Sequence, residues 1–243
     1  NVTPRLKNAI DNLYSTFSIY PGNRKMQASP LYNEVDKWNH LLFSKPLRQL
    51  SSDDLSNFLL KAISTWGKLT DLKHFLPRIL ELIASGDPLC DTDTVYQKLL
   101  YANWKSWESS EQDVINEFDL ALWENLFSDE DAQPAHIIQE VFTSLLLIHP
   151  DIRQLLDIWM KNDSLNSISS LTDYFFIHDN VSILSRDNSG IDSHVIDVLK
   201  QWIISDNMLS KLSNAFFLFE DPEIQQQISY AIKLLEHRRL QNK

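Results

Sequence analysis

"TWGKLTDLKHFLPRILELIASG", residues 65–86, decides how the rest of the chain is read. Leu72, Phe75, Leu76, Ile79 and Ile83 recur at three and four residues, the period of one helical face, and Leu80 and Leu82 widen it. Asp71, His74, Arg78 and Glu81 follow the same period on the other side, a ladder of alternating charge. Thr70 offers a cap before the run, and Gly86 offers a stop after it, with Pro88 just beyond. Pro77 removes one backbone hydrogen bond and crowds the carbonyl of Lys73, so a bend is expected there. Trp66, His74, Pro77 and Arg78 are therefore read as a structural motif, with Arg78 expected to grip a carboxylate of the next helix.

The same period extends outward from this stretch. Thr3-Pro4 reads as a cap with proline at the first helical position, followed by Leu6, Ile10, Leu13 and Phe17 on one face. Further helices are expected at 30–44, from Ser52 to a stop at Gly67, and at 93–107, 110–127, 134–148, 151–161, 169–184, 192–204, 207–219 and 222–239. Only four glycines are present, no Asn-Gly or Asp-Gly turn occurs, and no run alternates apolar and polar residues over strand length. The expectation is a single all-α domain over residues 1–243. About twelve antiparallel helices joined by short links would form an irregular α-α superhelix of HEAT-like type.

Composition narrows the function classes. At 43% hydrophobic and 23% charged residues the chain is globular in character. Its longest apolar run, "AFFLF" at 215–219, is far short of the ~20 residues a membrane span needs. A lone cysteine, Cys90, makes neither an intrachain disulfide nor a multi-thiolate metal site, which favours a cytoplasmic protein.

Charge is unevenly placed. The net charge is −11, yet residues 1–86 carry eleven Lys and Arg against seven acids. Residues 87–131 carry twelve acids against Lys98 and Lys105 alone, a net of −10. Asp113, Glu117 and Glu124 recur at four and seven residues and so share one stripe of the helix at 110–127. With Trp104 and Trp107 nearby, these five residues read as a surface for a basic protein, since clustered like charges repel until a cation neutralises them. Such a surface repels nucleic acid. The competing structural reading makes the acids a solvated face and the tryptophans core.

Catalytic motifs are sparse. The chain has no H-E-x-x-H, C-x-x-C or G-x-S-x-G and no phosphate-binding glycine loop, and no cofactor is implied. One alternative stands: His178-Asp179, a dipeptide that supplies two metal ligands in all-α metal-dependent phosphohydrolases, with His149 and Asp221 offered as the further ligands. "DNSGID" at 187–192 lacks the glutamate that would close a calcium loop and reads as a turn.

Lys61-Ala62, Thr65-Trp66-Gly67, Asp71, Lys73-His74-Phe75-Leu76-Pro77-Arg78-Ile79 and Glu81-Leu82 together resemble the signature block of a family of uncharacterised bacterial proteins. The resemblance implies a bacterial source and supplies no catalytic residue. The sequence thus points to a non-catalytic protein-binding scaffold, immunity- or antitoxin-like, with an acidic face.

Overall fold

The computed structural model describes residues 2–87, 92–128, 135–185 and 190–241. Cys90, Asn1 and residues 187–189 of the expected 187–192 turn lie outside these residues. The chain forms two compact units, Asn1–Leu122 and Trp123–Lys243, and the single-domain expectation spans both. Among the described residues there are thirteen α-helices and no strand, only isolated bridges of Trp66 with Ala28 and with Ala62. The all-α expectation holds. Among the described residues no helix is long and apolar enough to cross a membrane.

The first unit contains α1 (Pro4–Phe17), α2 (Val35–Leu42), α3 (Ser52–Lys61), α4 (Leu69–Ala84), α5 (Thr92–Tyr101) and most of α6 (Ser109–Asn125). In α1, Thr3 Oγ1 accepts from the Leu6 amide, and Leu6, Ala9, Ile10, Leu13 and Phe17 are buried, so cap and stripe both follow the sequence. Its main packing partner is α4, three helices along the chain, not the next one.

In α4 the start differs from expectation. The Asp71 carboxylate accepts from the Lys68 amide at 2.7 Å, which begins the helix at Leu69 and leaves Thr70 inside the first turn. Gly67 just ahead has φ +72°, and Asp71 packs on it so closely that a side chain there would be both strained and crowded. α3 begins after a Ser51–Asp54 capping box and ends at Lys61, short of Gly67. Residues 62–66 instead turn back, with Ile63 at φ +57°, because Trp66 is buried against Phe58 and Trp38 and its Nε1 donates to Asn39 Oδ1. The expected helix at 93–107 breaks at Asn103, φ +49°, a conformation asparagine tolerates better than most residues. A short 3-10 turn, Trp104–Ser106, follows.

The second unit contains the end of α6, then α7 (Ala135–Ile148), α8 (Ile152–Lys161), α9 (Leu165–Thr172), α10 (Asn180–Leu184), α11 (Ser193–Ile203), α12 (Asp206–Leu218) and α13 (Pro222–Gln241). Its core is a cluster of Trp123, Phe127, Phe142, Trp159, Tyr174, Phe175 and Trp202, with ring centroids mostly 5–6 Å apart. Buried indole N–H groups find carbonyls: Trp123 donates to Leu155 and Trp159 to Ser167, each at 3.0 Å. Buried Lys211 reaches from α12 to the end of α8 and donates to the carbonyls of Met160 and Asn162, which have no helical partner of their own. The expected helix at 169–184 is divided. A π-helical turn, Asp173–Ile177, is followed by Asp179 with φ +46°, just before α10.

Candidate functional site

α6 carries every acid of the expected binding stripe and is built with two polar faces. Ile115, Phe118, Ala121 and Leu122 are buried, as are two carboxylates on the same side, Glu111 and Asp119. Asp113 and Glu124 are exposed on the other side and Glu117 is half-buried. The Glu117 carboxylate is already engaged: Arg5 of α1 donates to it from Nε at 2.9 Å and from Nη2 at 3.2 Å. Trp104 and Trp107 are only 1% and 6% exposed, so neither offers a ring to a partner. That corrects the aromatic half of the expected surface. Trp107 instead donates from Nε1 to the Ala102 carbonyl and lies under the Lys73 ammonium, 4.4 Å from the ring centre.

Lys73 is the residue whose place the helical ladder does not foretell. It is 6% exposed, and its Nζ meets Glu111 Oε2 at 2.6 Å and the Tyr20 hydroxyl at 3.1 Å. Tyr20 donates in turn to Glu111 Oε1, and the Glu108 amide donates to Glu111 Oε2 at 3.2 Å. Burial first, then the Glu111 bond, pushes the Tyr20 phenol up. Every oxygen of this buried carboxylate is hydrogen-bonded and its charge is countered, the arrangement a buried ion pair requires.

The remaining motif residues make contacts within the first unit. His74 Nδ1 lies 2.9 Å from the Tyr20 carbonyl and its ring stacks on Phe43. Gly22 comes so close that a Cβ on it would collide with Phe43 and press on His74. Pro77 is buried within α4. Among the described residues Arg78 holds no carboxylate of another helix: its Nε donates to the Leu50 carbonyl and its Nη1 to Glu81 of its own helix, both at 2.7 Å. Glu81 then accepts from Tyr14 of α1 at 2.6 Å, so the link to a second helix runs through a phenol. Burial, more than that bond, pushes the Tyr14 phenol up.

Deeper along α6, Asp119 is 0% exposed and its Oδ1 accepts from the Tyr96 hydroxyl of α5 at 2.6 Å. Burial pushes its carboxyl up to about 8, although the Tyr96 bond works in the opposite direction.

The residues of the phosphohydrolase alternative are not brought together as a ligand set. His178 Nε2 faces Asp173 at 3.2 Å, whereas Asp179 pairs with Arg238 at 3.0 Å and accepts from Ser182. His149 is buried after α7, and burial lowers its pKa. Asp221 caps α13, accepting from the Glu223 and Ile224 amides. Among the described residues no three His, Cys, Asp or Glu side chains converge as metal ligands.

Comparison with family models, with curated proteins and with solved structures returned no match.

Proposed function

We propose that this chain is a non-catalytic protein-binding module of the cytoplasm that captures a basic protein partner on the acidic face of α6, in the manner of an immunity or antitoxin protein. One observation carries the reading: residues 87–131 hold twelve acids against two lysines, and Asp113 and Glu124 stand exposed on the one helix within that segment that runs for 17 residues. Charge this concentrated steers a cation-rich surface toward it and turns phosphate backbones away. Glu117 supports the neighbouring acids while remaining tied to Arg5. A bacterial source and HEAT-like pairing of helices within each unit belong to the same proposal, the first resting on the 61–82 block and the second on consecutive helices that pack together, such as α12 with α13.

The test is the double variant Asp113→Lys with Glu124→Lys. Wild-type protein should retain a strongly basic protein from a lysate of its source, identified by mass, and should release it as salt shortens the screening length below ~8 Å. The double variant, with an unchanged melting temperature, should retain none. Equal capture by both proteins, or a captured partner that is acidic, refutes the acidic-face reading.

A further inference from the structure

Among the described residues, three buried polar atoms of the first unit have no hydrogen-bond partner: Trp104 Nε1, Asn116 Oδ1 and Asp119 Oδ2. Two are oxygens three residues apart on α6, the spacing that makes side chains neighbours on one helical face. The third is an indole N–H that bonds to neither. Two acceptors side by side without a donor are costly when closed off from water. A single proton on Asp119 resolves both, because a carboxylic acid donates where a carboxylate cannot.

The charges around Asp119 favour the same conclusion. From α5 it accepts from Tyr96, whose phenol burial pushes well up. Lys73 from α4 and Arg5 from α1 reach α6, but Lys73 is held by Glu111 and Arg5 by Glu117. Along α6 itself, Ile115, Asn116, Leu122 and Trp123 are the neighbours at three and four residues, and none is charged. Lys98 of α5 points elsewhere, donating to the carbonyls of Leu60 and Ala62 at the end of α3. Among the described residues an anion at Asp119 would have no counter-charge, whereas a buried carboxylate needs one.

We infer that Asp119 enters the fold as a neutral carboxylic acid whose Oδ2 proton is donated to Asn116 Oδ1 within α6, and that this neutral acid lets the Tyr96 bond from α5 close over it without a counter-charge, a latch between the two helices. The native state then holds a proton that the unfolded chain has already released above the ordinary carboxylate range. Rising pH therefore removes stability across the interval from that range to about 8, and the folding constant falls about tenfold per pH unit within it. Above the interval the dependence ends. The latch gives the helix that carries the acidic face a proton-dependent anchor.

Urea unfolding of the full chain at a series of pH values, alongside Asp119→Asn, tests this. The wild type should lose stability as pH rises through the interval, and Asp119→Asn, which carries a permanent donor, should be flat in that component. Equal pH dependence in the two proteins overturns the inference. Should Asp119→Asn fail to fold, infrared spectra of wild-type protein with isotope-labelled aspartate decide it. The carbonyl stretch of a buried protonated acid at pH 6, lost as pH rises, supports the latch. A labelled aspartate population wholly ionised at pH 6 overturns it, and would mean that the Asn116 amide is rotated to donate to a carboxylate.

Discussion

Glu111 and Asp119 lie two turns apart on the buried side of α6, at 1% and 0% exposure, and the fold treats them in opposite ways. Glu111 receives Lys73 from α4, the Tyr20 hydroxyl and the Glu108 amide. Asp119 receives one phenol and no cation. A helix can thus sink a carboxylate by importing a counter-charge or by keeping a proton, and the choice decides what the site responds to. The first couples two helices through a charge pair that burial shields from salt; the second couples them through pH.

The largest expected effect comes from removing the imported charge. Lys73→Met keeps an unbranched side chain as far as Cε but removes the ammonium, and leaves Glu111 as an uncompensated buried anion, a change that costs about 3–5 kcal/mol. Urea midpoints should show the loss, and the double variant Lys73→Met with Glu111→Gln should recover much of it, since neither partner is then left charged. A Lys73→Met protein within about 1 kcal/mol of wild type would erase the distinction between the two carboxylates, against the cost expected for a broken buried pair.

Removing the phenol at the other carboxylate should cost less. Tyr96→Phe leaves the ring in the core and deprives Asp119 Oδ1 of its donor, worth about 1–3 kcal/mol for one buried acceptor. The same urea measurement applies, at a pH below 6 where Asp119 is neutral. A loss equal to that of Lys73→Met would indicate that Asp119 is charged and that Tyr96 was its main support.

The contrast within α6 shows how far the sequence could be read. Capped, strongly periodic helices such as α1 and α8 are legible, because the cap residue and the apolar stripe agree. The breaks at Asn103 and Asp179 are not, because one residue in the left-handed region interrupts the chain without disturbing the apolar pattern around it. Glu111 and Asp119 were within reach: each is four residues from Ile115, on the phase of Phe118 and Leu122. Counted only as charge, they merge with Asp113 and Glu124, although burial separates them. Trp104 and Trp107 were misplaced for the related reason that aromatic residues beside acids suggest a surface, while their size favours the core. Lys73 gave no local signal, since its partner is 38 residues away.

Glu117 supplies the smallest and most discriminating comparison. Its pairing with Arg5 resembles that of Glu111 with Lys73 in geometry, at 2.9 Å, but the two side chains are 46% and 40% exposed. Water already solvates both charges, so the pair contributes only about 0–1 kcal/mol. Glu117→Gln should therefore shift the urea midpoint slightly at low salt and not measurably at ~1 M salt, where screening acts within ~3 Å. Lys73→Met should cost the same at both salt concentrations, because its site is closed to ions. If the two variants showed the same salt dependence, burial would not be what separates the pairs, and the Lys73–Glu111 contact would have to open to solvent in solution.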